Sequence, residues 1–430
     1  NTMEKRELYG VFEKILEQEL VPAMGCTEPI ALAYCAAVAR KELGCLPDRV
    51  LVEVSGNIIK NAKSVIVPST NGARGILAAV AIGIVAGKTE LQLEVLSQIT
   101  NEEKEAFQEY MEKVPFEVRQ LESTLPLDIQ ITVWKGDDSA GARIAGSHTN
   151  LVSLMKNGIV QKIDNQKEET PGEKQPKEDV YDLLSMEAIY EYVNEEDLEM
   201  VKPVLERQIA YNSRISQEGL SGDYGANIGS VIRSCYGNDV RSRALAAAAA
   251  GSDARMNGCE LPVVINSGSG NQGLTVSLPV LEYAKELQAS EEKLYRALLL
   301  SNLVAIHLKH GIGTLSAYCG AVSAGAAAGA GIAYLKGGDY KTITHTIVNA
   351  LAITSGIVCD GAKSSCAAKI ATAVESGIFG YEMYRHGQQF YGGDGIVSKG
   401  IENTIRNIAI LGRDGMRETD RQILGIMLES

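Results

Sequence analysis

Forty-three glycines stand against five phenylalanines and one tryptophan in this chain. A core built from such a sequence has to be aliphatic, alanine-rich and closely packed around backbone, because few large rings are there to fill it. The 430 residues leave room for two or three ordinary domains, and 45% hydrophobic with 22% charged residues is the balance of a soluble globular protein. The formal net charge of −13 disfavours a nucleic-acid or anionic-membrane surface, either of which wants a basic patch. The longest apolar stretches, 75–87 and 322–335, fall short of a bilayer span and are interrupted by glycine. Eight cysteines are too sparse for a disulfide scaffold, and no secretory leader is read at the start, so the expectation is a cytoplasmic protein with reduced thiols. Each cysteine then serves packing or chemistry.

Leu8, Val11, Phe12, Ile15, Leu16 and Leu20 recur at helical spacing, and Pro22 ends that helix. A second helix is predicted from Ile30 to about Leu43, with Thr27 as N-cap and Pro29 in its first turn. Val50, Val52 and Val54 alternate as a strand; Val65–Val67 is a second extended run ahead of an apolar helix over 76–85. Thr100–Glu103 is a capping box opening a polar helix, Ile129, Ile131 and Val133 alternate, and Asn157-Gly158 sits between two short strands as a hairpin turn. The resulting division is an N-terminal part of the catalytic body (1–87), an inserted α+β module (88–163), an acidic polar linker (164–180) and a helical, Gly/Ala-rich C-terminal part (181–430). The linker reading rests on the lack of any aliphatic or aromatic residue from Asp164 to Asp179. The predicted fold is a mainly α-helical, Gly/Ala-rich catalytic body of two related halves carrying a small inserted α+β module.

The relation between the halves lies in "VIVPSTNGARGI" (65–76) and "VVINSGSGNQGL" (263–274), which superpose without gaps at Val65/Val263, Ser69/Ser267, Gly72/Gly270 and Gly75/Gly273. Both read as strand, Ser/Gly turn, then helix. Such a turn presents backbone N–H groups at a helix N-terminus to an anion; the plainer reading is close helix packing.

Among the cysteines, Cys35, Cys45, Cys235 and Cys259 are expected to pack as small hydrophobes. Cys359 and Cys366 stand in "GIVCDGAKSSCAAKI". One continuous helix would part them by about 10.5 Å, but the Asp360-Gly361 turn and a cap at Ser364 or Ser365 let them converge from a loop and a helix start. Cys319 enters an unusually small-residue helix, which leaves space beside it. Three thiolates without short Cys-x-x-Cys pairs suit an iron–sulfur cluster with an open iron better than zinc. The five histidines are read as core or surface residues rather than ligands.

"GCTEP", "PSTNGARG", "NSGSGNQG", "SAYCGAVSAG" and "CDGAKSSC" together resemble the L-cysteine desulfidase family, which is related to the α chain of iron–sulfur L-serine dehydratases. The likeness covers nearly the whole chain and is least diagnostic over 88–180. The close spacing of the last cysteine pair is the desulfidase pattern rather than the dehydratase one. The resemblance implies an oxygen-sensitive [4Fe–4S] cluster held by Cys319, Cys359 and Cys366 with one open iron, no pyridoxal phosphate, and conversion of L-cysteine to pyruvate, ammonia and sulfide. It makes Cys26 the candidate base for the α-proton; a fourth cluster ligand and simple packing are its two other readings. Dehydration of serine or threonine on the same cluster is the nearest alternative, and a non-enzymatic iron–sulfur redox sensor the alternative of another class.

For the substrate's carboxylate and amine the paired turns offer Ser69, Asn71, Gly72, Arg74, Ser267, Ser269 and Asn271. Arg74 is the candidate bidentate clamp, or else a surface residue at a helix start. Lys363 and the pair Lys60-Asn61 are matching positions of less certain role. Ser147-His148-Thr149 either reaches over the site from the inserted module or is an ordinary strand connection. The expected partner is a small-molecule amino acid, with no nucleic acid and no membrane; a homo-oligomer remains open.

Overall fold

The computed structural model describes residues 3–163 and 179–430, so nearly all of the expected linker over 164–180 lies outside the described residues. The elements run α1 (Lys5–Glu19), β1 (Pro22–Met24), α2 (Thr27–Leu43), β2 (Arg49–Ser55), α3 (Gly56–Ala62), α4 (Gly75–Ala86) and α5 (Asn101–Lys113). Then come β3 (Phe116–Leu121), β4 (Asp128–Lys135), β5 (Asp138–Ala145), β6 (Leu151–Lys156) and β7 (Ile159–Lys162). The remainder is α6 (Met186–Glu195), α7 (Lys202–Ser221), α8 (Ile228–Tyr236), α9 (Val240–Met256), β8 (Pro262–Val264), α10 (Gly270–Glu286) and α11 (Glu291–Ile312). It ends with α12 (Gly320–Leu335), α13 (Tyr340–Thr354), α14 (Cys366–Arg385), α15 (Ile401–Ile410) and α16 (Arg417–Glu429). The protein is mainly helical with a small sheet unit, as the sequence predicts.

The small residues set how the helices meet. α12 packs on α10, α11, α13 and α14. A Cβ on Gly325 would lie 2.4 Å from the Ala373 carbonyl oxygen of α14, and one on Gly377 2.3 Å from that of Gly325. The two backbones therefore touch, and no larger residue fits either place. α2 and α4 do the same at Gly83, whose Cβ would meet the Ala33 carbonyl oxygen at 2.3 Å.

The six-stranded sheet has the order β3-β2-β4-β5-β6-β7, antiparallel except for the parallel β2/β3 pair. Within it β2, from the N-terminal part, is an interior strand, and α2 lies across β4, β5 and β6. Val50, Val52 and Val54 bury one face of β2, and that face finds its cover only after the later strands arrive. The capping box at Thr100 forms with both of its bonds. Asn157 (φ 48°) and Gly158 (φ 81°) make the tight turn between β6 and β7. Val65–Val67 gives only isolated bridges, from Ile66 to Arg74 and to Asn257. Among the described residues no helix is long and apolar enough to cross a membrane.

Candidate functional site

Four helices begin at one cavity. Its wall includes Cys26, which is the N-cap of α2; Ser269, the N-cap of α10; Cys319, the N-cap of α12; and Cys366, the first residue of α14. Thr27 is thus inside α2 rather than its cap: the Cys26 carbonyl accepts the first helical bond from Ile30 N–H at 3.1 Å. Each helix start directs its positive dipole end and free N–H groups inward.

Cys319 and Cys359 are brought side by side by an antiparallel bridge between Tyr318 and Val358. Cys359 N–H donates to the Ala317 carbonyl at 2.7 Å and Cys319 N–H to that of Ile357 at 3.3 Å. The Asp360-Gly361 turn then returns the chain to Cys366, whose Sγ lies 3.5 Å from the Gly361 carbonyl oxygen. Gly361 is required there: at φ 94° its Cβ would stand 2.2 Å from the Lys60 carbonyl oxygen. Lys60 is buried under this loop and donates to the Cys359 carbonyl at 3.0 Å while pairing with Asp420 of α16. Cys319, Cys359 and Cys366 all line the cavity. Burial pushes the Cys319 thiol up to about 12, and the neighbouring Cys359 and Cys366 push the same way. Burial likewise raises Cys366. Among the described residues no three His, Cys, Asp or Glu side chains converge on a single-ion position; a polynuclear cluster spreads its thiolates over separate irons.

Cys26 lines the same cavity, with Cys366 packed against its small cluster. It is 1% exposed, with its Sγ 3.7 Å from Met256 Sδ. Burial pushes its thiol up to about 12, Arg255 pulls it down, and Glu28 and Cys366 raise it further. Beside it Glu28 is buried and meets His148 Nε2 at 3.2 Å. Burial raises the Glu28 carboxyl, but the His148 hydrogen bond and charge outweigh it and hold the group below the usual carboxylate range. His148 comes from the β5–β6 connection, so this connection reaches over the site.

The turn over 266–269 is set from below by buried amides. Asn266 donates to Asn302 Oδ1 at 3.0 Å, and Asn302 exchanges bonds of 2.9 Å with Gln208. Thr27 Oγ1 donates to the Gly268 carbonyl at 2.9 Å and ties the turn to α2. Ser267, Ser269 and Asn271 line the cavity as expected. The matching first turn does not. Ser69 (φ 62°) and Ser267 (φ 52°) are both left-handed, and there the likeness ends: Asn71, Gly72 and Gly75 keep positive φ and α4 starts at Gly75, whereas Ser269 is extended and α10 already starts at Gly270, the counterpart of Gly72. The Ser69 hydroxyl donates to the Leu96 carbonyl, Asn71 and Gly72 are exposed, and exposed Arg74 donates to the Ser64 carbonyl. Ser69, Asn71, Gly72 and Arg74 therefore lie off the cavity wall: α4 starts later in its turn and packs against α2, while α10 packs against α12. Lys363 also turns away and pairs with Asp360, whose carboxyl is raised by burial yet held below its usual range by Lys363 and Lys369. Asn61 lines the cavity.

Of the expected packers, Cys35 and Cys259 are buried, whereas Cys45 and Cys235 are exposed. Cys45 follows the Gly44 cap of α2, and Cys235 lies on the outer side of α8, so neither has a core to enter. Arg255 and Lys309, also on the cavity wall, are charged residues that carried no sequence signal. Arg255 closes an alanine run that reads as a plain helix, and its placement depends on α9 crossing the start of α10. Burial lowers the Lys309 ammonium against the pull of Cys359 and Cys319.

Residues 90–425 match the serine dehydratase alpha chain family. A UPF0597 protein of Desulfitobacterium hafniense (strain Y51) is 55% identical, with 99% of this chain and 98% of that protein covered. One of Lachnoclostridium phytofermentans is 49% identical over 98% of this chain and 100% of its own length, and one of Finegoldia magna 48% over 97% and 99%. By both measures the chain groups with the UPF0597 proteins and belongs to the serine dehydratase alpha chain family, a family of iron–sulfur, lyase-type enzymes.

Proposed function

We propose that this protein is a [4Fe–4S]-dependent L-cysteine desulfidase, which converts L-cysteine to pyruvate, ammonia and sulfide by α,β-elimination without pyridoxal phosphate. The observation that carries the reading is the set of three thiols, Cys319, Cys359 and Cys366, lining one cavity together with Cys26. The residues present suit the group: the donors are soft thiols, and Gln272 Oε1, Asn271 Oδ1 and Arg255 Nε are buried there without partners among the described residues. When bound, the cluster supplies a Lewis-acid iron that withdraws charge as the Cα–H and Cβ–S bonds break.

The chain's own residues do the rest. In this reading Cys26 Sγ receives the α-proton; burial holds its thiol up at about 12, and the Arg255 guanidinium offsets part of that. The departing sulfur takes the Cβ–S electron pair, leaving aminoacrylate, which tautomerises to an imine and is hydrolysed by water to pyruvate and ammonia. The Glu28–His148 pair and the 266–269 turn close the cavity around the amino acid. An oxygen-sensitive centre of this kind suits a reducing, cytoplasmic compartment.

Serine dehydration is the second reading, favoured by the family match; it needs only hydroxide in place of hydrosulfide. Steady-state pyruvate formation from L-cysteine and from L-serine, measured anaerobically on reconstituted protein, separates them. The desulfidase reading expects the larger kcat/KM for cysteine with stoichiometric sulfide. Preference for serine overturns it, and cluster absorbance untouched by either amino acid points instead to a redox sensor. Cys26→Ala should keep its iron and lose turnover; loss of iron would make Cys26 a ligand.

A further inference from the structure

Arg255 is a buried guanidinium without a direct ion-pair partner: its charge acts on Glu28 and Cys26, but it hydrogen-bonds to neither. It is 3% exposed, its Nε is buried without a hydrogen-bond partner, and among the described residues it forms no ion pair. The nearest carboxylate in the site, Glu28, is already engaged by His148 and by the Thr27 hydroxyl. The group lies across the first turn of α10: a Cβ on Gly270 would stand 2.1 Å from Arg255 Nε and 2.6 Å from Cζ. Glycine at that position is what lets a guanidinium lie against the helix start. Full positive charge and the N-terminal N–H groups of a 17-residue helix thus face the same space. A buried charge without a partner is strongly unfavourable, so the arrangement awaits an anion.

We infer that Arg255, at the N-terminus of α10, is the receptor for the α-carboxylate of the substrate. This rests on reading the cavity as an amino-acid lyase site, and it gives to Arg255 the clamp that the sequence assigns to Arg74. A guanidinium takes a carboxylate through two parallel N–H bonds and so fixes the Cα beside Cys26. The unpartnered Asn271 Oδ1 and Gln272 Oε1 of the same first turn are acceptors for the ammonium of the same zwitterion.

The test is anaerobic calorimetric titration of the cluster-free and reconstituted protein with L-cysteine, L-serine, pyruvate and cysteamine, which is cysteine without its carboxylate. Wild type should bind the carboxylates more tightly than cysteamine. Arg255→Gln should weaken the carboxylates by about 10- to 100-fold, the loss of one or two charge-assisted bonds, and leave cysteamine unchanged. Arg255→Lys should fall between. Ligand-free Arg255→Gln should melt at or above wild type, because it removes an uncompensated charge. Equal carboxylate affinity in wild type and Arg255→Gln overturns the inference, as does binding of no α-carboxylate by either form of the wild type. A lower melting temperature for both ligand-free variants would show that the protein itself holds the guanidinium, and also overturns it. Carboxylate binding lost in Arg255→Gln, with no sulfide released by loaded wild type, keeps the receptor and discards the desulfidase reading. Sulfide release with an unchanged KM in Arg255→Gln does the reverse.

Discussion

His148→Asn offers a direct measure of how the sheet unit is joined to the catalytic body. His148 Nε2 and Glu28 Oε1 are 3.2 Å apart and both residues are buried, so removing the imidazole strips a buried carboxylate of its main partner. Breaking a buried pair costs about 3–5 kcal/mol. The Thr27 hydroxyl, 3.2 Å from Glu28 Oε2, remains and places the expectation at the lower end, about 3 kcal/mol. With an unfolding entropy of about 2.1 cal/mol/K per residue, 430 residues give roughly 0.9 kcal/mol/K, so the melting temperature should fall by about 3 °C.

The pH dependence has a defined sign. Glu28 is held below its unfolded value, so its contribution is present above about pH 4.3, the unfolded carboxyl value, and is lost as pH falls through the folded value. The gap between wild type and His148→Asn should therefore be full at pH 7 and close in acid. Glu28→Gln combined with His148→Asn removes the buried charge as well and should recover at least half of the loss. Calorimetry of cluster-free protein from pH 8 down to about pH 2.5, below the usual carboxyl range, measures all three. A single variant melting within about 1 °C of wild type at pH 7, or a double variant no better than the single, would refute the pairing.

Gly361→Ala should destabilise by more than about 2 kcal/mol, since both the positive φ and the close Lys60 carbonyl oppose a side chain; iron retained after reconstitution should drop while far-UV dichroism is kept. Native thiol titration should find Cys45 and Cys235 reacting at once, and Cys26 and Cys35 only after denaturation. Asp253 is buried in α9 and accepts from Gly229 N–H at 2.9 Å, and burial pushes its carboxyl up to about 6. The folded state then holds the extra proton, so stability should decline by roughly 2 kcal/mol as pH rises from about 4 to 6, after allowance for screening. Asp253→Asn, followed by thermal melting, should abolish that decline.

What could be read in the chain beforehand was local. The capping box at Thr100, the Asn157-Gly158 turn and the break between Cys359 and Cys366 each depend on residues within reach of one another, and each forms. The misplaced parts depend on long-range docking. β2 reads correctly as a strand, but its neighbours β3 and β4 lie more than sixty residues on, and nothing in Val50, Val52 and Val54 names them. The two Ser/Gly turns carry the same sequence signature and the same left-handed serine, yet only one meets the cavity. What distinguishes them is where the helix begins, at Gly75 after the first turn but at Gly270, the counterpart of Gly72, in the second; α4 then packs against α2 and α10 against α12. His148 sits in a connection like any other until β5 and β6 are placed against α2.

The small residues that constrain the fold also make the site. Thiolates and a carboxylate are anions, and gathering them in a buried cavity is unfavourable unless fixed positive charge is already there. Here it comes from helix starts: α2, α10, α12 and α14 all open on the cavity, joined by Arg255. Four helices can bring their ends to one place only if their bodies lie close behind it, and the glycine contacts between α12 and α14 allow that approach. Bulkier helices would hold their N-termini apart and leave the thiols further from one another. Gly325→Ala, one turn behind the cavity-lining Ala321 and off the cavity wall itself, should then loosen iron binding as well as lower stability, through the splay it forces between Cys319 and Cys366. Iron content against melting temperature in that variant tests the link: a destabilised protein that still holds its full iron would show that packing and site are independent.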